Sequence, residues 1–350
     1  MAERKYWNEE IETMPLDKLK KLQEGRLQAR VTWAYERSAF CRRKLDEAGI
    51  KPADIKTLND LQKLPFTTTE EFRKAPLSDR LAVPFEELKW IGSTSGTTGF
   101  PDIIPFTERD RGILLEEIEP RFRWALGVRP NDVIQILSGF ECCLIGAPKV
   151  GATVLRGDAG RGNLDYQIRL AQMAGVTVLE HLPSLVLKYF ERAKELGIDI
   201  KKSKLRMVIG VAEGWAEARK RKFEEEYGIV FRTAAYGSME AGVAGSECEE
   251  GKGMHMFGEL SLVEIIDPET LDVLGPGEEG EIVLTPLLNE AMPLIRYRTN
   301  DVGSILPYEP CPCGRTSSKI GMVKGRISHI IRVNGKKNPP YRYRGGGDWH

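Results

Sequence analysis

The sequence predicts a layered α/β protein with a mostly parallel sheet and a smaller antiparallel β subdomain. Between residues 112 and 235, short apolar runs alternate with amphipathic stretches, which is typical of parallel strands joined by helices. From residue 257 onward, strand-like runs follow one another with only Gly, Pro and Asp turns between them, which favours antiparallel pairing. Hydrophobic residues make up 41% of the 350 residues and charged residues 29%, the composition of a globular protein.

The N-terminal part, residues 1–80, is predicted to be mostly helical and charged. Apolar residues recur at spacings of three and four between Lys18 and Gly49, and this glycine marks a helix end. A second helix start is indicated by Thr68, because Glu71 three residues later completes a capping box.

The α/β core is assigned to residues 85–256 and the β subdomain to residues 257–324. Four strands of the core are predicted from the runs DVIQIL, ATVL, VTVLEH and RMVIGVA, and a further one from FRTAA at 231–235. Helices are predicted at 163–175, 184–196 and 215–227. The strands of the β subdomain are predicted from LSLVEII, EIVLTPL and IRYRTNDVGSIL.

The charge balance restricts the partners. Lys plus Arg and Asp plus Glu both count 51, so the net charge is zero, which argues against a general binder of nucleic acid or membrane surfaces. No apolar run approaches the roughly 18 residues of a membrane span, and the start MAERKYWNEEIE lacks the apolar core of a secretory signal. We therefore expect a soluble cytoplasmic protein that acts on a small molecule.

A loop of small residues, STSGTTGFP at 93–101, is the first candidate for a binding element. Small residues let backbone N–H groups approach a phosphate closely, and the hydroxyl groups add donors. The loop is not a GxxxxGK[ST] phosphate loop, which argues against kinases and GTPases of that class. An ordinary surface turn remains the alternative from the composition of the loop alone.

Several motifs in a fixed order carry a resemblance to a known family. TSGTTG is accompanied by YWNEEIETMP, LPFTTTEEFR, VAEGWAEA, YGSMEAG, PLIRYRTNDVG and CPCGRT. Together they resemble the adenylate-forming enzymes, and within them the phenylacetate–CoA ligase branch, over residues 6–337. The resemblance implies the large N-terminal domain of an adenylate-forming enzyme, with residues 1–324 as its ATP- and acyl-binding domain.

The resemblance also implies a nucleotide site. The phosphate loop would comprise Ser95, Gly96, Thr97, Thr98 and Gly99, with Thr97 and Glu240 as catalytic residues and Glu240 also as the Mg²⁺ ligand. The remaining contacts implied for ATP or AMP fall on the adenine-lining segments, the ribose-binding Asp and the hinge Arg, namely Ala212, Glu213, Gly214, Tyr236, Gly237, Ser238, Met239, Asp301 and Arg326. Without the resemblance, Tyr236 and Glu240 would be taken as surface residues and Asp301 as a turn residue.

Two positions depart from the family pattern. Most relatives carry a Lys after the second Gly of the phosphate loop, where this chain has Phe100, so a point charge for the β- or γ-phosphate is missing there. The residue before Glu240, usually Thr or Ser, is Met239. Both changes weaken the expected phosphate contacts.

Three cysteines and one histidine, residue types that bind metals well, lie in two short segments. Cys248 and His255 are separated by six residues, and Cys311 and Cys313 form a CPCG turn, so three sulfurs and one nitrogen are available for a structural zinc. Because 55 residues lie between His255 and Cys311, the sequence alone does not show that the two halves meet. Similar elements occur in phenylacetate–CoA ligase relatives, which favours zinc. Cys41, Cys142 and Cys143 are interpreted as packing residues.

The implied reaction has two steps. A carboxylic acid, phenylacetate-like or another aryl or acyl acid, attacks the α-phosphate of ATP, and the CoA thiol then attacks the acyl-adenylate and releases AMP. The expected cofactors are ATP/AMP, Mg²⁺, coenzyme A and Zn²⁺, and a homodimer is left open. Two alternatives remain: an adenylyltransferase that uses no CoA, and a non-catalytic nucleotide-binding protein.

The C-terminal end of the chain departs from the family. Residues 325–335 resemble the hinge to a C-terminal domain that carries the family's catalytic Lys, but His329 stands where the hinge Asp is expected. Residues 336–350 show no apolar period, and deleting one base from a plausible coding string converts their start to KIHPIDIEEAIG, which resembles the opening of that domain. We therefore expect a frame-shifted tail and a truncated, impaired enzyme; sequencing the source gene tests this.

Overall fold

The computed structural model describes residues 4–93, 102–139, 141–157, 163–327, 331–333 and 336–338. A π-helical stretch joins the sixth and seventh α-helices. The α-helices are α1 (Glu9–Glu12), α2 (Leu16–Arg37), α3 (Ala39–Glu47), α4 (Thr69–Lys74), α5 (Leu77–Arg80), α6 (Glu108–Gly112), α7 (Glu119–Ala125), α8 (Glu141–Lys149), α9 (Leu164–Ala174), α10 (Pro183–Glu195) and α11 (Glu217–Tyr227).

The strands form one parallel sheet and several antiparallel ones. They are β1 (Leu88–Ser93), β2 (Ile103–Thr107), β3 (Val133–Ile136), β4 (Thr153–Arg156), β5 (Val178–His181), β6 (Met207–Gly210), β7 (Val230–Thr233), β8 (Ala235–Ser238), β9 (Gly242–Ser246), β10 (Met254–Met256), β11 (Ser261–Ile266), β12 (Gly280–Pro286), β13 (Tyr297–Gly303), β14 (Lys319–Ile320), β15 (Ile331–Val333) and β16 (Lys336–Asn338). The parallel sheet has the order β4-β3-β5-β6-β7.

The parallel sheet is covered on both faces. Leu179 and Val208 pack against α9, α10 and α11 on one face, and Ile134 and Val178 pack against α7 and α8 on the other. Every residue of β5 and β6 is therefore buried. This explains why β6 is a continuous apolar run in the sequence, whereas β5 ends with the buried polar residues Glu180 and His181. The predicted alternation of strands and helices is confirmed.

Most of the antiparallel structure follows β7, and one antiparallel pair precedes the parallel sheet. One sheet has the order β14-β10-β9-β8 and a second has β11-β12-β13, while β1 pairs with β2 and β15 with β16. The pairing of β11 with β12 runs without interruption from Ser261 opposite Pro286 to Ile266 opposite Glu281. The predicted combination of a parallel sheet with antiparallel β structure is confirmed.

Two local features differ from the sequence-based expectation. The long N-terminal helical stretch is divided at Ser38, whose side chain accepts a hydrogen bond from the Cys41 N–H and caps α3. The run FRTAA is not one strand, because the chain leaves the parallel sheet at Ala234, whose N–H still donates to the Gly210 carbonyl. Tyr236 consequently lies inside β8 of an antiparallel sheet and not at a strand end.

The longest helix, α2, spans 22 residues. It packs Leu27, Val31 and Ala34 into the core shared with the antiparallel sheets, and its exposed side carries charged residues. Among the described residues, no helix combines the length and the apolar character needed to cross a bilayer.

Candidate active site and metal cluster

The turn after β6 lies at the carboxyl edge of the parallel sheet, where open α/β sheets bind ligands. Ala212 adopts a left-handed backbone conformation, with φ of +62°, and so redirects the chain. The Glu213 carboxylate accepts hydrogen bonds from the backbone N–H and the hydroxyl group of Ser184, both at 2.9 Å, at the start of α10. The Glu213 carboxylate is thus already hydrogen-bonded to the N-terminus of α10. A ligand at this turn would therefore contact the backbone of Ala212, Glu213 and Gly214.

Three residues predicted from separate motifs meet in one cluster. The buried Tyr236 hydroxyl group donates to Asp301 Oδ2 at 3.1 Å and lies 3.3 Å from Thr299 Oγ1. The Arg326 Nε lies 3.4 Å from Asp301 Oδ1, and the backbones of Asp301 and Arg326 form an isolated bridge. The structure thus brings together the predicted adenine-side Tyr, the ribose-binding Asp and the hinge Arg.

Burial controls the ionisation of this cluster. Desolvation raises the pKa of the Asp301 carboxyl, and the Arg326 guanidinium opposes that rise. Desolvation also raises the pKa of the Tyr236 hydroxyl well above its usual range, with the Asp301 carboxylate adding to the effect. The tyrosine therefore remains a hydrogen-bond donor, and Asp301 is the acceptor that a ribose diol would need.

The turn between β8 and β9 is held by its small residues. A Cβ atom at Gly237 would lie 2.2 Å from the Gly242 carbonyl oxygen, so only glycine permits this close pairing. The Ser238 hydroxyl oxygen accepts a hydrogen bond from the Ala241 N–H at 3.0 Å. Both residues therefore shape the segment that presents Met239 and Glu240.

Glu240 and Met239 lie beside the ribbon that flanks the phosphate loop. The buried Glu240 places Oε1 3.5 Å from Arg73 Nη2. Met239 is 40% exposed. Its terminal methyl group packs closely on Gly92 of β1, because a Cβ atom at Gly92 would lie 2.7 Å from that methyl group. Glu240 is therefore positioned near the base of the loop, with a cation already beside it.

The phosphate loop itself lies outside the described residues. The described residues do not include the predicted loop residues Ser95, Gly96, Thr97, Thr98, Gly99 and Phe100. They also do not include Ser328, His329 and residues 339–350. The described strands β1 and β2 flank the loop on either side. The predicted phosphate contacts and the predicted catalytic role of Thr97 remain predictions.

An apolar cavity opens next to Glu240. It is narrow, with a volume of about 70 Å³, and it is partly open to solvent. Glu240, Asp110 and Asn289 are the polar groups at its wall, and most of the lining is apolar, namely Ile104, Pro105, Phe106, Ile113, Leu114, Ile118, Met239, Val243 and Met292.

The four predicted zinc ligands also meet. The ligand atoms of Cys248, His255, Cys311 and Cys313 all lie within 4.8 Å of one another. The Cys248 and Cys311 sulfurs are 3.9 Å apart, and Cys313 Sγ is 3.4 Å from His255 Nε2. Their meeting depends on the pairing of β10, which contains His255, with β14, which follows the CPCG turn.

Contacts outside the four ligands orient them. The His255 Nδ1 lies 3.2 Å from the Ser317 carbonyl oxygen, which leaves Nε2 free to face the sulfurs. Hydrogen bonds from the Cys248 thiol and His255, together with the Arg315 N–H, lower the pKa of Cys313, although burial opposes this. Sulfur, nitrogen, spacing and orientation all fit a tetrahedral zinc site.

His181 at the end of β5 is a buried histidine that we predict to be uncharged at neutral pH. Burial lowers its pKa to about 4, and its Nδ1 has no hydrogen-bond partner among the described residues. The unfolded state therefore binds the proton first, so the free energy of unfolding should fall as the pH drops from about 6.5 to 4. The full shift corresponds to at most about 3 kcal/mol.

We expect His181→Gln to reduce the dependence of the free energy of unfolding on pH. At pH 7 the variant should lose less stability than the wild type loses between pH 6.5 and pH 4. Urea unfolding of both proteins at pH 7, 6 and 5 measures the effect. Equal slopes for the variant and the wild type would contradict the assignment.

Sequence reasoning missed the charged residues that support the site. Arg73 on α4 approaches Glu240, and Arg123 on α7 is fully buried between Glu119 and Glu180. The spacing of Glu119 and Arg123, four residues apart in the apolar stretch IEPRFRWAL, was the available signal. A charged pair at this spacing is usually exposed, so its burial in the core could not be predicted from the sequence.

Comparison with known proteins identifies the family. The profile of the family described as AMP-binding enzyme matches residues 21–285. Phenylacetate-coenzyme A ligase from Thermus thermophilus is 34% identical over 335 residues, which cover 93% of this chain and 74% of that protein. The chain belongs to the phenylacetate–CoA ligase branch of the AMP-binding enzyme family. The Escherichia coli phenylacetate-coenzyme A ligase is 32% identical over 335 residues, which cover 93% of this chain and 75% of that protein.

Solved structures support the same assignment. A 2-hydroxyisobutyryl-CoA ligase in complex with 2-HIB-AMP and CoA, in its thioesterification state, superposes with a TM-score of 0.87 at 26% identity. The match covers 96% of this chain and 74% of that one. The predicted family and fold class of this AMP-binding enzyme are confirmed. The predicted enzyme class, an AMP-forming acid–thiol ligase, is confirmed as well.

Proposed function

We propose that this phenylacetate–CoA ligase family member activates a small carboxylic acid with ATP to an acyl-adenylate and then transfers the acyl group to coenzyme A. The observation that carries the proposal is the cluster of Tyr236, Asp301 and Arg326. It offers a ribose acceptor, Asp301, that is held by a tyrosine hydroxyl group and faces a cation. AMP formation and CoA as the acceptor thiol follow from the family.

We propose an aryl or acyl acid with an apolar body as the substrate. The cavity beside Glu240 is mostly apolar, so an aromatic or aliphatic group would be buried there and its carboxylate directed towards the nucleotide. This fits the phenylacetate in the names of the curated relatives. A substrate screen would identify the acid within this class.

A binding experiment tests the adenylation site directly. We expect phenylacetyl-sulfamoyladenosine, a stable mimic of the acyl-adenylate, to bind at least about 100-fold more tightly than AMP in isothermal titration calorimetry. ATP should compete with it. A mimic that binds no better than AMP, or without competition by ATP, would refute the activation of phenylacetate at this site. CoA-dependent release of AMP separates the ligase from an adenylyltransferase that uses no CoA.

We propose that Glu240 holds Mg²⁺ against the ATP phosphates. A carboxylate oxygen suits Mg²⁺, and Arg73 at 3.5 Å balances the buried charge when the metal is absent. The pairing with Arg73 also means that Mg²⁺ and the guanidinium compete for the same carboxylate.

Glu240→Gln should reduce the gain in ATP affinity that Mg²⁺ provides by about tenfold, because a neutral amide holds the cation poorly. Calorimetric titrations of ATP with and without Mg²⁺ measure this gain. Glu70→Gln is the matched control, since Glu70 is exposed and pairs only with Lys74 among the ion pairs recorded for the described residues. An unchanged Mg²⁺ effect in Glu240→Gln would exclude this ligand.

We propose a structural zinc at Cys248, His255, Cys311 and Cys313. The supporting observations are the donor set, the mutual distances within 4.8 Å and the orienting contact of His255 with Ser317. Four protein ligands leave no position for a substrate, so the metal would hold β10 to the CPCG turn and take no part in the chemistry. The homodimer and the cytoplasmic location stay predictions from the sequence.

A further inference from the structure

A second group of metal-binding side chains lies away from the four-ligand cluster. One carboxylate oxygen of Glu119 and the sulfurs of Cys142 and Cys143 lie within 4.8 Å of one another. Glu119 and Cys143 are buried, and Cys142 is half-buried. Glu119 begins α7, and the two cysteines stand in the first turn of α8.

A glycine makes this contact between the helices possible. A Cβ atom at Gly146 would lie 2.3 Å from Glu119 Cβ, so α8 packs directly on Glu119 only because this side chain is absent. Cys142 and Cys143 precede Gly146 by four and three residues, which places them one turn away on the same helix face. Both sulfurs consequently lie within 4.8 Å of a Glu119 carboxylate oxygen and of each other.

We propose that Glu119, Cys142 and Cys143 form a second metal site, which binds a thiophilic divalent cation of the Zn²⁺ or Cd²⁺ type. Two thiolates and one carboxylate are ligands that such cations prefer. Metal–sulfur and metal–oxygen bonds of about 2.3 and 2.0 Å require ligand atoms roughly 3.5 to 3.8 Å apart, a small contraction from the observed arrangement. Three protein ligands leave a fourth position for water or an added ligand.

The neighbouring charges are compatible with a cation. Arg123 is paired both with Glu119, at 3.2 Å, and with Glu180, at 2.7 Å. When Glu119 turns to a metal, Arg123 therefore keeps a buried carboxylate partner. Metal binding displaces the protons of the two thiols, so a divalent cation enters without changing the net charge of this buried group.

The two metal sites differ in their expected affinity. The Cys248 cluster supplies four ligands, whereas this site supplies three and shares one of them with a guanidinium. We therefore expect a chelator to remove the metal from the Glu119 site first. Occupancy should also raise the thermal unfolding midpoint, because the metal would bridge α7 and α8.

Cadmium titration of the reduced, chelator-treated protein tests the proposal, with thiolate–cadmium absorption as the readout. The wild type should bind two equivalents, and Cys142→Ser combined with Cys143→Ser should bind one. Cys248→Ser should retain the equivalent at the Glu119 site. Cys41→Ser, at a buried cysteine outside both clusters, should still bind two.

Single variants keep the test decisive if the double variant fails to fold. Cys142→Ser changes only the half-buried thiol, and Glu119→Gln should weaken binding of the second equivalent by more than the roughly 10- to 100-fold that loss of an outer contact costs. Two undiminished equivalents in Cys142→Ser, or a wild type that binds only the equivalent lost in Cys248→Ser, would overturn the second site.

Discussion

Cys311→Ser should remove the bound zinc and lower the free energy of unfolding by more than about 4 kcal/mol, at the upper end for a single substitution. Cys311 is buried and lies 3.9 Å from Cys248, so its loss leaves three ligands and one serine that binds zinc weakly. In small zinc domains the metal contributes on the order of 10 kcal/mol to folding. Here the sheet and the core around the site retain part of the stability.

The measurement pairs zinc content, by elemental analysis after dialysis, with the urea unfolding curve. Cys41→Ser is the matched control, because Cys41 is equally buried but contacts the Pro293 carbonyl and no metal-binding group. It should keep one tightly held zinc per chain and lose little stability. Wild-type protein that carries no zinc, with stability unaffected by Cys311→Ser, would mean that the four residues form a cluster without metal.

The elements that the sequence predicted well are those whose burial follows from local pattern. β6 is an apolar run and the helices α9 to α11 are amphipathic segments, and α9 ends at Gly175, which takes a left-handed conformation with φ of +64°. The pattern of such segments depends on neighbours close in sequence. Their type and approximate bounds could therefore be predicted without the structure.

Features that depend on distant residues could not be predicted in this way. The change of sheet at Ala234 is not encoded in the apolar run FRTAA, since both strands there look alike. The meeting of His255 with Cys313 requires the pairing of β10 and β14. For the nucleotide site, motif resemblance supplied Tyr236 and Asp301, but only the structure shows that one donates a hydrogen bond to the other.

Asp301→Ala should weaken nucleotide binding by roughly 10- to 150-fold, corresponding to the 1.5–3 kcal/mol of a charged hydrogen-bonding group. The carboxylate is the proposed acceptor for the ribose hydroxyl groups, and Tyr236 and Arg326 hold it in place. Asp301→Asn keeps the size but removes the charge, so its affinity for ATP should fall between the two. Calorimetry with ATP and Mg²⁺ measures all three proteins.

The pH dependence separates a ligand-binding carboxylate from one that only supports the fold. Burial raises the pKa of Asp301. As the pH is lowered, ATP affinity should therefore begin to fall at a pH above the usual pKa of an aspartate. The ATP affinity of Asp301→Asn should not change over the same pH range. Thr299→Val is the control for altered packing, because its hydroxyl group contacts the Asp301 N–H and the Tyr236 hydroxyl group but makes no hydrogen bond to the carboxylate. The same pH profile in Asp301→Asn and the wild type would assign the dependence elsewhere.

The raised pKa has an opposite consequence for stability. The folded protein holds the Asp301 proton more tightly than the unfolded chain does, so above the unfolded pKa the ionised group opposes folding. Asp301→Asn should therefore leave the unliganded protein at least as stable as the wild type at pH 7, while it weakens ATP binding. Such a gain in stability with a loss of affinity is expected of a charge retained for its ligand. A variant that loses stability and affinity together would indicate that Asp301 mainly anchors Tyr236 and Arg326.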